Sequence, residues 1–247
     1  MSARAFVGGI GHAARGARLL CTPGIRRYVL APLAVSIAVF SLGLWGALTL
    51  VDVLVERYLS AWPEWLAWLA WGLFAAASAL VVFFTFSIVA NLIASPFNGL
   101  LAAAVERRLR GLPVAQDSGW RGVLDETRRA LRGEIKKLGY IVWRALPLVL
   151  LSLVPGLNLL APPLWFLFGA WMLALDYLDC PFGNHDRVFP GVLAAMRAQR
   201  SLALGFGAAI ALVSAVPLVN FLAMPIGVAG ATSLYCARFA DDTRAAA

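Results

Sequence analysis

The chain has 247 residues, 61% of them hydrophobic and 14% charged, and its mean hydropathy is +0.80. Soluble domains carry nearer about 25% charge, so this composition excludes an ordinary water-soluble domain and makes the bilayer the solvent. The net charge of +8 does not mark a nucleic-acid binder, because the basic residues flank apolar runs instead of forming a face of their own.

Near the N-terminus, Phe6, Ile10, Ala13, Ala17 and Leu20 recur at spacings of three and four, with Arg4, His12, Arg15 and Arg18 opposite. The pattern predicts an amphipathic helix lying on the membrane surface, its arginines meeting lipid phosphates as an anchor in preference to a direct substrate role. Thr22-Pro23-Gly24 then breaks the chain. Proline with glycine marks a turn and a helix start, so unpaired amides around Gly24 to Arg27, beside the guanidinium groups of Arg26 and Arg27, make a candidate anion site. Residues 28–51 carry no charge and are long enough to cross the bilayer. This run follows two arginines and lacks a small-residue cleavage pattern, so it reads as a retained span and not a cleaved leader.

Trp62, Trp65, Trp68 and Trp71 recur every three residues at the start of the next apolar stretch, and they read as an interfacial aromatic belt in preference to a cation cage. That stretch holds a second span, about residues 65–94, and a further helix, for which Ser95 can act as cap with Pro96 at the first position. Asn91 and Asn98 are costly beside lipid unless they face a partner or a cavity, which makes them pore or gating candidates. Glu106, Arg107, Arg108 and Arg110 follow before Gly111-Leu112-Pro113 ends the helix. Glu106 and Arg110 stand one turn apart and can pair, either to orient the arginine at a pore mouth or to solvate the helix end.

From Ser118 a long helix is predicted, with Leu124, Leu131, Ile135, Leu138 and Val142 on one stripe, so residues 96–144 read as a cytoplasmic helical region. The chain then repeats a phrase: Val154-Pro155-Gly156-Leu157-Asn158-Leu159-Leu160-Ala161 returns as Val216-Pro217-Leu218-Val219-Asn220-Phe221-Leu222-Ala223. Each proline removes a helical N–H and should end a helix and turn the chain back. The run from Ala145 to Val154 rises only about 15 Å against a hydrocarbon core of about 30 Å, too short to span. Two interrupted pairs are therefore expected, at about 145–175 and 201–237, as re-entrant hairpins whose irregular backbone lines a polar cavity. Asn158 and Asn220 become further pore or gating candidates, and the arrangement points to a transport protein. Between the pairs, Leu178 to Asp186 is rich in Pro, Gly and Asn and reads as a loop, with Asp176, Asp179 and Asp186 solvated. Residues 241–247 read as a short disordered tail.

Five arginines, Arg4, Arg15, Arg18, Arg26 and Arg27, precede the first span without an acidic residue, and a second basic cluster runs from Arg107 to Arg144. Asp52, Glu56 and Glu64 face only Arg57 in the loop between spans. Positive charge stays inside, which puts the N-terminus and residues 106–144 in the cytoplasm and 52–64 outside. Cys21, Cys180 and Cys236 are far apart and read as free, mostly buried thiols; His12 and His185 are isolated, so no metal and no cofactor are expected. No nucleophile elbow, phosphate-binding loop, zinc pair or dinucleotide fingerprint occurs, which argues against an enzyme or an ATP motor.

Four phrases also carry a resemblance: Pro23-Gly24-Ile25-Arg26-Arg27; Asn91 to Leu101 with its Pro-Phe-Asn-Gly-Leu-Leu core; Leu175-Asp176-Tyr177-Leu178-Asp179-Cys180-Pro181-Phe182 with Asn184-His185 following; and Pro217-Leu218-Val219-Asn220. Together, over about Phe6 to Phe239, the chain resembles the CysZ family of bacterial sulfate permeases. The resemblance implies one all-α, multi-pass membrane domain over residues 1–247, with two long transmembrane helices, two hemi-penetrating helical hairpins and a multimeric assembly. It implies an inner-membrane protein that brings sulfate into the cytoplasm for cysteine biosynthesis in a proton-dependent manner. The family's Gly-x-Arg-Arg sulfate motif falls on Gly24, Arg26 and Arg27, with Ile25 at the variable position, and its charged residues correspond to Glu106, Arg107 and Arg110. Expected partners are sulfate, membrane lipids and further copies of the chain. Two competing readings are a non-transporting scaffold or channel-associated protein whose arginines contact only headgroups, and a lipid-modifying enzyme using the Asp176 to Asp186 region.

Overall fold

The computed structural model describes residues 2–59, 63–111, 120–187 and 189–240, with helices and short turns and no strand among the described residues. In chain order the helices are α1 (Ala3–Leu20), α2 (Arg26–Leu59), α3 (Glu64–Arg110), α4 (Trp120–Leu153), α5 (Ala161–Gly183), α6 (Phe189–Ala198), α7 (Arg200–Ser214) and α8 (Pro217–Arg238). Among the described residues, three segments are long and apolar enough to cross a membrane: Arg26–Leu54, Glu64–Val81 and Leu157–Gly183. The first two fall where spans were expected. The third is the returning arm of the first interrupted pair, and its 27 residues rise about 40 Å as a helix, so this arm has the length that the run before the break lacks.

The chain divides into two compact bodies, one of residues 27–97 and one of residues 1–26 with 98–247. The smaller contains α2 from Arg27 onward and α3 as far as Phe97. Its surface is apolar, with Leu42, Trp45 and Trp68 each about two-thirds exposed or more. Lipid accommodates such a surface and water does not. Polar side chains are satisfied locally: Thr49 Oγ1 donates to the carbonyls of Trp45 and Gly46. Trp71, from the predicted aromatic belt, donates its Nε1–H to Asp52 Oδ1 at 2.8 Å and so ties α2 to α3.

In the larger body α1 and α5 each pack against both α7 and α8. Backbones approach closely where glycine permits it. A Cβ on Gly9 would lie 2.1 Å from the Leu202 carbonyl oxygen, and one on Gly205 would lie 2.0 Å from that of Phe6. Small residues of this kind hold helices together where no hydrophobic force separates protein from lipid. The packed stripe of α1 is therefore Gly9, Ala13 and Gly16, while Ile10 is exposed. The helix is amphipathic as expected, but it is a docked element of the body and its buried face is turned toward its glycines. The core below it holds Leu175, Leu178, Phe182, Phe206, Ile210, Leu234 and Tyr235, all inaccessible to solvent, with Phe182 edge-on to Tyr235 at 4.9 Å between ring centres.

Both repeated phrases end helices. After α4 the chain turns at Gly156, whose φ of 86° favours glycine, passes through a 3₁₀ turn at Leu157–Leu160 and enters α5. After α7 it turns at Ala215 and Val216, and Pro217 opens α8 where its missing N–H costs nothing.

Elsewhere the helices overrun their predicted limits. The α3 backbone is continuous through residues 95 and 96, where a new helix was expected; membrane helices tolerate such a proline by local adjustment. Likewise α5 continues through Asp179 and Pro181 to Gly183, so most of the predicted loop is helix. Burial of Leu178 and Phe182 on either side of Pro181 outweighs the turn propensity of the phrase. The loop proper is residues 184–187, where Asp186 takes a left-handed φ of 59°, a conformation Asp tolerates better than most residues.

Candidate anion site and polar network

The Gly24 to Arg27 segment sits at the junction of α1 and α2. Gly24 has φ of 90°, a left-handed conformation suited to glycine, and the space where a Cβ would stand is open. Ile25 is buried at 4% exposure, which anchors the segment, while Gly24, Arg26 and Arg27 are exposed. The Ile25 amide donates to the Thr22 carbonyl at 3.3 Å, so not every amide here is unpaired as expected. Arg26 donates from Nε and Nη2 to the Cys21 carbonyl oxygen at 3.1 and 2.8 Å, an orphan acceptor at the end of α1. Two of its five N–H donors are thus engaged and the guanidinium is held in place. Arg27 donates to the Tyr28 hydroxyl at 3.0 Å and stands 4.9 Å from that ring's centre.

A second group of charges lies inside the larger body. Glu106, only 3% exposed, accepts from Arg110 Nη1 at 3.0 Å, the one-turn pairing that its spacing permits. It also meets His185 Nε2, at 3.0 Å from Oε1 and 2.9 Å from Oε2. Burial pushes the Glu106 carboxyl up, but the hydrogen bond and charge of His185, with those of Arg110, outweigh it and hold the group below its ordinary value. An ionised carboxylate only accepts, so His185 Nε2 carries the proton of this contact. The imidazole stacks on Tyr235, ring centres 5.2 Å apart and planes 21° from parallel. Next to it Asn184 donates from Nδ2 to the Gly99 carbonyl at 3.1 Å, and Asn98 donates to Met224 Sδ at 3.7 Å. The Asn-Gly step after Pro-Phe and the Asn-His step after α5 thereby meet in space.

The acidic residues of α5 are paired: Asp176 is exposed, as expected, whereas Asp179 is half-buried. Lys137 of α4 stands 2.5 Å from Asp176 Oδ1 and 2.7 Å from Asp179 Oδ2. Its ammonium would be lowered by burial, but Asp179 and Asp176 outweigh that and hold it above its ordinary value. Neither Lys137 nor His185 stood out as a partner in the sequence; the nearest signal was the recurrence of Asp176, Asp179, Asn184 and His185 within one phrase.

Of the remaining candidates, the side chain of Asn91 lies outside the described residues. Arg107 is exposed. Asn158, in the 3₁₀ turn, and Asn220, in the first turn of α8, are exposed, each donating its backbone N–H four residues back, to the Val154 carbonyl at 3.0 Å and the Val216 carbonyl at 2.8 Å. The structure thus joins Glu106 to Arg110 and leaves these two asparagines apart from that network. His12 Nδ1 lies 3.1 Å from Ser233 Oγ, the contact of an ordinary polar histidine. Cys180 and Cys236 are partly buried, whereas Cys21 is exposed, contrary to the expectation of mostly buried thiols.

Long apolar helices, helix breaks at the two repeated phrases and a buried pairing network in the larger body together define an all-helical membrane protein. More particularly, the chain belongs to the sulfate transporter CysZ/etoposide-induced protein 2.4 family, whose profile matches residues 12–225. It is 39% identical to the sulfate transporter CysZ of Pseudomonas syringae pv. tomato, over 88% of this chain and 87% of that protein. It is 40% identical to the protein of that name in Pseudomonas aeruginosa, over 88% and 89%, and to that of Salmonella typhimurium, over 92% and 91%.

Proposed function

We propose that this protein carries sulfate across the bacterial inner membrane into the cytoplasm, supplying sulfur for cysteine biosynthesis, and that it performs no enzymatic reaction. The observation that carries this reading is the likeness, at about 40% identity over nearly the whole length, to proteins named sulfate transporter CysZ. The interrupted pairs at α4–α5 and α7–α8 act as re-entrant hairpins, and copies of the chain assemble as a homo-oligomer in contact with membrane lipids.

Sulfate has two negative charges, and stripping its water without compensation costs tens of kcal/mol in a low-dielectric medium. Gly24, Arg26 and Arg27 collect the anion at a membrane face, because guanidinium forks match a tetrahedral oxyanion. Arg26 retains donors beyond the two engaged with Cys21, and Gly24 lets backbone approach the ligand without a side chain. Asn91, Asn98, Asn158 and Asn220 offer neutral amides that bind weakly enough to release, and Glu106, Arg107 and Arg110 set the charge at the gate.

The test is radiolabelled sulfate uptake into liposomes containing only the purified protein, with and without an imposed pH gradient, beside the Arg26→Ala/Arg27→Ala variant. ATP-independent uptake that fails in the variant is expected, and the response to the gradient decides proton coupling. No uptake by folded, correctly inserted protein overturns the reading in favour of a scaffold.

A further inference from the structure

We propose that the larger body holds a second oxyanion site, separate from the Gly24 motif, in the cavity between α4, α5 and the start of α7. The cavity has a volume of about 580 Å³ and is lined by Arg144, Arg197 and Arg200, with no carboxylate in its wall among the described residues. None of the three arginines pairs with an acidic side chain among the described residues. Three guanidinium groups around one space repel each other until an anion enters.

The donors are already oriented. Arg144 and Arg197 stand 5.7 and 6.0 Å from the centre of the Tyr140 ring, so one aromatic ring gathers both charges. The Tyr140 hydroxyl accepts from Trp171 Nε1 at 3.1 Å, which leaves its own proton to donate. Arg200 donates from Nε to the Arg197 carbonyl at 3.2 Å, which ties the start of α7 to the end of α6 and leaves its terminal amino groups for a ligand.

The rest of the lining is mostly apolar and includes Leu167 and Phe168, both from Leu157–Gly183, a segment long enough to cross the bilayer. A ligand with tetrahedral negative oxygens fits the arginines. Free sulfate and the phosphate of an anionic phospholipid share that chemistry, the second adding an acyl chain for the apolar lining. The assignment does not rest on the transport reading.

The experiment uses the full chain in neutral detergent, comparing wild type, Arg144→Gln/Arg197→Gln/Arg200→Gln and Arg26→Ala/Arg27→Ala. Sulfate binding is measured by equilibrium dialysis, and retention of phosphatidylglycerol against phosphatidylcholine by native mass spectrometry. The triple variant is expected to lose at least about tenfold in affinity, the equivalent of one charge-assisted hydrogen bond. Loss of sulfate binding that the Arg26→Ala/Arg27→Ala variant retains identifies free sulfate as the ligand. Loss of phosphatidylglycerol with phosphatidylcholine unchanged identifies a lipid phosphate. Unchanged binding of both in a triple variant of normal helicity and elution overturns the site. Should that variant fail to fold, Arg144→Gln and Arg200→Gln are measured singly by the same criteria, with Arg144→Lys expected to restore binding.

Discussion

His185 and Glu106, 79 positions apart in the chain, meet at 2.9 Å and bring the loop after α5 onto the C-terminal part of α3. The contact closes a chain of charge from Arg110 through Glu106 to an imidazole stacked on Tyr235. Removing the carboxylate leaves two donors without their acceptor. Glu106→Ala should lower stability by about 3 kcal/mol, the scale for breaking a buried charge pair, and Glu106→Gln by less because an acceptor oxygen remains. Thermal unfolding in detergent checks the order.

The same carboxyl fixes a pH dependence. Its folded value lies below the ordinary 4.5, so its contribution is complete above that pH and is lost as pH falls below it through the folded value. The stability gap between wild type and Glu106→Gln should therefore be constant near neutrality and narrow on acidification below about pH 4.5, read from melting temperatures across a pH series.

His12 titrates in a nearer range. Burial, with the charges of Arg15 and Arg238, holds its imidazole below the ordinary 6.5. The unfolded chain then binds the extra proton, so stability should fall as pH drops below about 6.5. Protonation acts where α1 meets Ser233 of α8. His12→Gln, which retains a hydrogen-bonding group, should flatten that part of the melting profile.

Lys137 is held by two aspartates of unequal exposure, Asp176 with a side chain 55% exposed and Asp179 with one 23% exposed. Exposed pairs contribute about 0–1 kcal/mol and buried ones far more when broken. Chemical unfolding should rank Lys137→Ala as most damaging, then Asp179→Asn, with Asp176→Asn close to wild type.

A packing test separates the docked helix from the lipid-facing ones. Gly205→Ala forces a Cβ to within 2.0 Å of the Phe6 carbonyl oxygen, and only backbone movement relieves it. A loss of at least about 1–3 kcal/mol is expected. Gly43→Ala in α2 meets nothing within 4 Å and should gain up to about 1 kcal/mol from helix propensity. Both are read as shifts in melting temperature.

Local features were legible in the chain itself. Uncharged runs such as residues 28–51 announce a span because length and hydropathy act segment by segment, and Pro155 and Pro217 announce helix ends because a missing N–H acts within one turn. The one-turn pairing of Glu106 with Arg110 could likewise be read from spacing. The limits of α3 and α5 could not, since Pro96 and Pro181 carry a local signal for a break that the fold overrides.

Sequence by itself therefore determined the membrane class, the long apolar helices, the two helix breaks and the family, and it singled out Gly24, Arg26 and Arg27 as a candidate anion motif. Tertiary structure alone decided that His185 meets Glu106, that Lys137 bridges Asp176 and Asp179, that α1 docks through glycine, and that three arginines share one cavity. Proline and apolar length impose their effect on neighbouring residues, whereas a charge pair spanning 42 or 79 positions exists only after packing has brought its helices together and excluded the water that would otherwise satisfy each partner.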